Sequence, residues 1–185
     1  MAYISEYPPA HNDTYVKSTS NYTTYYPYLS TNPAASLTGG IGGSWLTANV
    51  TSQRFHIDLG SSKVITRVYY ENAHDSGSST DAGIKEFTFW GTDNAAAFAE
   101  LTYATDTNWT QLSMGAAQFD IHISADQADP KYITASNITA YRYYAFKIVN
   151  NWGNASQLSV RRITLQSGGA QAGNQVVNLS DYGIF

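Results

Sequence analysis

Two alternating stretches decide the fold of this chain: Phe55-His56-Ile57-Asp58-Leu59-Gly60 and Tyr141-Arg142-Tyr143-Tyr144-Ala145-Phe146-Lys147-Ile148-Val149-Asn150. Apolar and polar residues alternate in both, which is the period of a β-strand that buries one face. The second stretch runs into Asn151-Trp152-Gly153, so that amide groups stand beside an indole ring in a turn. A rigid sandwich with amides and aromatic rings on its loops suits the binding of a polar ligand better than bond-breaking chemistry.

Further short strands are expected on both sides of these stretches. We predict strands at 64–71, 84–92, 109–112, 118–124 and 158–166, and a short helix or turn at 95–103. In the strand at 118–124, Phe119, Ile121 and Ile123 are expected to point inward and Asp120 and His122 outward. Many short strands with regularly spaced turns are typical of an all-β sandwich or jelly roll.

The chain is expected to hold one domain. We divide it into an extended N-terminal lead-in at residues 1–10, a jelly-roll domain at 11–166, and a Gly-rich linker with a C-terminal tail at 167–185. The tyrosines between Tyr15 and Tyr28 are expected to seal the core with their rings, and the alternative is an aromatic interaction face.

Composition excludes several classes of function. Charged residues make up 13% of the 185 residues, the net charge is −4, and there is no cysteine. Without a basic cluster we expect no nucleic-acid partner, and without cysteine there is neither a disulfide nor a thiolate nucleophile. No stretch approaches the roughly 20 apolar residues of a membrane span, so membrane insertion is not expected.

The start of the sequence bears on localisation. Residues 1–9 lack the basic region and the apolar run of a signal peptide. We expect a protein made in the cytoplasm and present, after release, on a virion or another extracellular surface. Residues 176–185 would then dock on a neighbouring subunit.

Catalytic and metal sites find weak support. His74-Asp75-Ser76 has the residue types of a catalytic triad, but three consecutive residues rarely converge on one line of hydrogen bonds. Asp75 and Asp81 lie on one loop, yet nothing fixes their separation. His56 and Asp58 share one face of a predicted strand, and Asp120 and His122 share one face of another. These four side chains could bind zinc only if the two strands were neighbours, and otherwise they are expected to face solvent. We predict no enzyme, no catalytic residue and no metal ligand.

Four segments together resemble the discoidin family, also called the coagulation factor V/VIII type C domain, which includes the family 32 carbohydrate-binding modules. The segments, in chain order, are 38–68, 84–92, 141–148 and 158–165. The resemblance implies a galactose-binding-like jelly-roll β-sandwich that binds a ligand, without catalysis, on loops at one end.

The resemblance also implies which residues bind the ligand. The loop after the strand at 64–71 and the loop after the strand at 141–150 would carry the site, with Arg54 added. The candidate ligand-binding residues are Asn72, His74, Asp75, Asn150, Asn151, Trp152 and Arg54. Sugar recognition needs paired hydrogen-bonding groups and an aromatic face, and these residues supply both.

We expect no cofactor, and the sequence leaves open whether the chain binds a structural calcium ion. Many relatives of this resemblance hold a structural calcium with an Asp in the Gly-rich loop and a Glu in the closing strand. This sequence has Thr38 near the first position and Arg161 or Arg162 near the second. Loss of the carboxylates weakens a calcium site, although backbone carbonyls at 39–43 remain.

Two functions follow from the sequence. The first is a non-catalytic glycan-binding adhesion module, part of a phage virion such as a tail or capsid-decorating protein. The second is a structural virion decoration or oligomerisation protein that binds no sugar.

Overall fold

The computed structural model describes residues 2–168 of the chain. Within this range the chain forms strands and one short α-helix in the following order: β1 (Tyr3–Glu6), β2 (Val16–Ser18), β3 (Trp45–Thr47), β4 (Thr51–Lys63), β5 (Ile65–Asn72), β6 (Phe87–Thr92), α1 (Ala95–Ala99), β7 (Thr110–Met114), β8 (Lys131–Ser136), β9 (Tyr141–Asn150) and β10 (Leu158–Gly168). Three short 3-10 helices lie between these elements, at Pro27–Thr31, Ile41–Gly43 and Thr80–Ala82. None of the helices in this range is both long enough and apolar enough to cross a membrane.

The strands form two antiparallel layers. Sheet A has the order β1-β10-β5-β8, with β3 also paired to β10, and sheet B has the order β2-β4-β9-β6-β7. A short pairing of β7 with β8 joins the layers into one curled sheet. The fold is therefore the all-β galactose-binding-like jelly-roll sandwich that the sequence predicts.

Alternating residues of both sheets meet in the core. On sheet B, Phe55 of β4 pairs in register with Phe146 of β9, which pairs with Phe89 of β6. All three rings are fully buried. Burying an aromatic or aliphatic side chain of this size contributes about 1.5–3 kcal/mol, so the alternating stretches at 55–60 and 141–150 hold the layers together.

A second apolar cluster lies on the outer side of sheet B. Asn94 caps α1 by accepting hydrogen bonds from the N–H groups of Ala96 and Ala97. The helix places Phe98 beside Tyr143 of β9, with the ring centroids 4.8 Å apart. His56 of β4 is buried beneath this cover.

The register gathers several loops at one end of the sandwich. Thr51 of β4 pairs with Asn150 of β9, and Asn72 of β5 pairs with Val160 of β10. The segments 22–25, 36–50, 73–86, 115–130 and 151–157 meet at this end, which we call the rim.

The predicted strand at 118–124 is wrong. Phe119 is buried and Asp120 exposed as expected, but Ile121 and Ile123 are exposed and His122 is buried, which reverses the expected faces at 121–123. These residues form an irregular rim loop held by local hydrogen bonds, and the strand that follows is β8, which the sequence analysis missed.

Both ends of the described range extend the sheet. β1 lies within the predicted lead-in and pairs with β10, which runs on to Gly168. The division of the chain at residues 10 and 166 stays a prediction, and the predicted tail lies outside the described residues.

Candidate functional site

A cavity of about 230 Å³ opens at the rim. It combines two tyrosine rings with aliphatic and polar side chains. Its lining is Tyr22, Tyr25, Ile41, Leu46, Asp75, Ser79, Ala82, Gln157 and Ser159.

The two tyrosines are held by backbone pairing. The Tyr22 N–H donates to the Leu46 carbonyl at 2.7 Å, and the Leu46 N–H donates to the Tyr25 carbonyl at 3.3 Å. β3, which carries Leu46, is itself paired with β10. Tyr22 remains 48% exposed, so its backbone is held beside the cavity while its side chain stays open to a ligand.

A tight turn presents the acidic group. The Asp75 N–H donates to the Ser78 carbonyl at 2.8 Å, and the Ser78 hydroxyl donates back to the Asp75 carbonyl. Ser79 follows in the left-handed region at φ 53°. The turn leaves Asp75 exposed and places it in the lining of the cavity.

His74 is a packing residue rather than a free ligand contact. It is fully buried, and its ring stacks on His122 with centroids 4.2 Å apart. Its Nδ1 accepts from the Gly77 N–H, so its Nε2 donates to the Leu37 carbonyl at 3.0 Å. Burial lowers the pKa of His74, which keeps the ring neutral.

Gly77 allows two rim loops to touch. Its φ is +84°, and a Cβ there would lie 2.8 Å from the carbonyl carbon of Ala125. Only glycine fits this close approach without displacement, so the loops 73–86 and 115–130 form one unit around His74 and His122.

Two of the predicted asparagines also serve the loops. Asn72 is buried and donates to the carbonyls of Ile84 and Asp120. Asn151 donates to the carbonyls of Asn154 and Gln157 at 2.8 and 2.7 Å. Their amides are occupied within the protein and shape the rim instead of facing a ligand.

Asn150 and Trp152 lie at the rim but outside the cavity lining. The Asn150 amide bonds the backbone N–H and the carboxylate of Glu86. Trp152 is half-buried, and the Lys85 ammonium lies 5.1 Å from its ring centroid. Both residues therefore support the loop 151–157, which brings Gln157 to the cavity.

Arg54 is not placed with the other candidates. Its guanidinium is fully buried on the outer side of sheet B, where it donates to the Asp106 carboxylate and to the carbonyls of Thr102, Tyr103 and Thr105. The resemblance implied a ligand contact for Arg54, but the segment 102–106 covers its guanidinium. The prediction that Arg54 contacts the ligand is corrected accordingly.

The carbonyl cage near the Gly-rich loop does not fit calcium. The Arg161 guanidinium occupies it, with Nη2 donating to the carbonyls of Gly39, Gly40 and His74 at 2.8, 3.1 and 2.7 Å. Nη1 donates to the carbonyls of Ser36 and Thr38, each at 3.3 Å. A fixed positive charge thus uses the oxygens that a hard cation would need.

The catalytic and zinc alternatives are not assembled by the fold. Nδ1 of His74 is taken by the Gly77 N–H, so it does not activate a serine. His56 lies under α1 while His122 lies at the rim, and both are buried rather than solvent-facing. Among residues 2–168, no group of three or more acidic or histidine side chains is arranged to hold a metal ion.

Several cavity residues escaped the sequence analysis. Tyr22 and Tyr25 belong to the segment whose alternative interpretation was an aromatic interaction face. Ser79 and Gln157 carry no sequence signal, because only the turn geometry of their loops directs them to the cavity.

Comparison with known proteins agrees with this architecture. The sequence matches the family model DUF5000, described as a domain of unknown function, over residues 36–167. The match spans most of the described domain, and the chain belongs to this family. A search of curated proteins found no match.

Solved structures share the fold at low sequence identity. The family 32 carbohydrate-binding module of Streptococcus pneumoniae EndoD superposes with a TM-score of 0.59 at 17% identity, covering 89% of this chain and all of that chain. The family 32 module of Clostridium perfringens NanJ, solved with galactose, gives 0.54 at 9% identity over 82% of this chain and 92% of that chain. Truncated AlyQ, with CBM32 and alginate lyase domains, gives 0.59 at 17% identity over 92% of this chain, which spans 35% of that protein.

These neighbours confirm the resemblance at the level of the fold. The class that the fold defines is the galactose-binding-like β-sandwich, whose solved members here include carbohydrate-binding modules. Within that class the chain is a DUF5000 domain.

Proposed function

We propose that this domain is a non-catalytic glycan-binding module whose ligand occupies the rim cavity. The observation that carries the proposal is the pair Tyr22 and Tyr25 at the mouth of a cavity that also presents Asp75, Ser79 and Gln157. Aromatic rings cover the apolar face of a sugar, while carboxylate, hydroxyl and amide groups bond its hydroxyls.

The size and charge of the cavity favour one neutral sugar unit. Its volume of about 230 Å³ lies below the range of drug-sized ligand pockets. Asp75 is the charged side chain of the lining, so a sugar carboxylate would meet a like charge there. Neutral hexoses or amino sugars fit this environment. Solved neighbours in complex with galactose and with GalNAc-beta-1,3-galactose support the same class.

A glycan array followed by calorimetry tests the proposal. We expect a neutral or amino-sugar glycan to bind, and Tyr22→Ala to weaken that binding by about tenfold or more, since one good contact is worth roughly 1–3 kcal/mol. Asp75→Asn should weaken it as well while keeping the shape of the side chain.

The matched control is Ile138→Ala, an exposed apolar position at the opposite end of the sandwich. It should bind as the unchanged protein does. Absence of any array hit, or a hit with equal affinity for the Tyr22 and Ile138 variants, would refute the rim cavity as the binding site.

The assignment as a non-enzyme belongs to the same proposal. Its support is the absence, within residues 2–168, of a nucleophile hydrogen-bonded to a free base at the cavity. Incubation with the best array ligand should leave the glycan intact by mass spectrometry, and a cleaved product would overturn the assignment.

We also propose, as a separate point, that the module works in an assembly such as a phage virion. The edge strand β1, with Ile4 exposed, offers a surface for a neighbouring subunit. Deleting residues 176–185 should reduce the mass seen by light scattering and leave the circular dichroism spectrum unchanged. An unchanged mass would speak for a module without this assembly role.

A further inference from the structure

A groove of about 310 Å³ crosses the outer face of sheet A, away from the rim. Tyrosine rings and polar side chains line it together. The lining is Ser5, Tyr7, Pro33, Tyr69, Tyr132, Arg162, Thr164 and Gln166.

The strand register builds the groove. Thr164 of β10 pairs with Tyr69 of β5, which pairs with Tyr132 of β8, so these three side chains form one row on the outer face. The rings of Tyr69 and Tyr132 contact edge to face, with centroids 5.4 Å apart. The next row brings Ser5 beside Gln166.

The exposed ring is held in place before any ligand arrives. Tyr132 is 51% exposed, and the Arg67 guanidinium carbon lies 4.4 Å from its centroid and 3.4 Å from that of Tyr3. Arg67 is fixed in turn by a 2.7 Å hydrogen bond to the Gln166 side chain. An aromatic surface that is already ordered loses little entropy when it binds.

Arg162 gives the groove a positive charge that forms no direct ion pair among residues 2–168. The residue is 5% exposed, and its Nη2 donates to the Ala35 carbonyl at 2.6 Å. Its Nε is buried with no hydrogen-bond partner, and no carboxylate of the described residues lies within ion-pair distance of it. A buried charge without a counter-charge is costly, and such groups are normally paired.

The carboxylate nearest to Arg162 in the strand register, that of Glu71, forms its hydrogen bonds with other residues. Glu71 lies opposite Arg162 on β5, but its oxygens accept from the Tyr69 hydroxyl and from the Asp129 N–H. The other charged group on this face is the cation Arg67. Burial lowers the pKa of Arg162, while the nearby Glu71 charge raises it by less. No carboxylate of the described residues forms a direct ion pair with Arg162 or Arg67, so the groove combines aromatic walls with two guanidinium groups and one nearby carboxylate.

We propose that this groove is a second saccharide site, selective for a hexuronate unit of an acidic oligosaccharide. The sugar ring lies against Tyr132 and Tyr69, and its carboxylate faces Arg162. The charge preference is opposite to that of the rim cavity, where Asp75 stands at the mouth.

Calorimetry with two matched trisaccharides tests this site: galacturonic acid trisaccharide and its fully methyl-esterified form, which removes the charge and keeps the sugar. We expect the acid to bind at least about tenfold more tightly than the ester. Added salt should reduce the difference, because the groove is partly open to solvent.

Two variants locate the binding. Tyr132→Ala, at an exposed position with little effect on folding, should weaken binding of the acid by about tenfold, and Arg162→Gln should remove the preference for the acid over the ester. Tyr22→Ala, at the rim, should leave binding of the acid unchanged, so this site and the proposed glycan site fail independently.

Three results would overturn the proposal. The first is equal binding of acid and ester, or binding of neither. The second is an affinity for the acid that depends on Tyr22 and not on Tyr132. The third is a dimer in light scattering that Tyr132→Ala dissociates, which would assign this face to a second copy of the chain.

Discussion

Single buried cations decide much of the local structure. Arg54 and Arg161 are both buried, yet each guanidinium is surrounded by acceptors that belong to loops rather than to the sheets. Burial lowers the pKa of Arg161, which shows the cost of placing the charge there. Burying each guanidinium therefore costs desolvation energy, and its hydrogen bonds to loop carbonyls hold that loop in one conformation.

Replacing Arg161 should destabilise the protein. Arg161→Gln removes the donor shared by the carbonyls of residues 36, 38–40 and 74. Hydrogen bonds to a charged group contribute about 1.5–3 kcal/mol. We expect the free energy of unfolding, measured by urea denaturation, to fall by roughly 3 kcal/mol.

Arg67→Gln, on the open face of the same sheet, is the matched control and should cost about 1 kcal/mol or less. Millimolar calcium should leave the melting temperature of the unchanged protein where it is. Stabilisation by calcium, or a loss for Arg161→Gln no larger than for Arg67→Gln, would contradict the role given to Arg161.

His56 should make stability depend on pH. Burial, the largest cause, lowers its pKa to about 4, below the ordinary value of 6.5 that we take for the unfolded chain. Between these values the unfolded chain binds more protons, so stability is full above about pH 6.5 and falls as pH drops toward 4.

The loss through this one group is on the order of 3 kcal/mol, and it is measured by urea denaturation across that pH window. His56→Gln should flatten the dependence. If the stability of this variant still falls as steeply, His56 does not cause the pH dependence, and His11 and His74, whose pKa values burial also lowers, become the candidates.

At the scale of elements, loops depend on contacts from strands they do not adjoin. The segment 102–106 follows α1 and lies across sheet B, where Asp106 joins Arg54 of β4 and Lys147 of β9. The Lys147 ammonium lies 2.7 Å from the Asp106 carboxylate. Arg54 and Lys147, on the neighbouring strands β4 and β9, thus hold the segment 102–106 in place through Asp106.

Arg54→Gln tests that arrangement. We expect faster hydrogen exchange in residues 100–107, because their carbonyls and Asp106 lose a common donor, with no change in exchange at the rim. Glycan affinity should stay within about twofold of the unchanged protein. A loss of affinity without faster exchange would restore Arg54 as a ligand contact.

At the scale of the whole molecule, the alternation of apolar and polar residues predicts most of the strands. The residues around the cavity depend instead on the geometry of the loops, which alternation does not predict. The stretches at 55–60 and 141–150 predict their strands because alternation there is regular and one face is buried. The stretch at 118–124 alternates just as well, but local hydrogen bonds and the stacking of His122 on His74 determine its conformation.

The two loops chosen from the sequence lie at the rim, but few of the predicted residues line the cavity there. Their role in ligand binding stays a prediction. Asp75 lines the cavity. The side chains of Asn72, His74 and Asn151 instead form hydrogen bonds to backbone carbonyls of the loops around it. Sequence shows that polar residues follow a strand, but not which of them bond their own backbone. Tyr22 enters the site through its pairing with β3, a contact between distant segments that alternation does not reveal.

The central claim is that the rim cavity binds a glycan, and amide chemical-shift mapping tests it most directly. The best neutral ligand from the array is titrated into isotopically labelled protein. The largest shifts should fall on residues 22–25, 41–46, 75–82 and 157–159, which surround the cavity. Shifts concentrated on the outer face of sheet A or on residues 176–185, or no shifts at all, would contradict the claim.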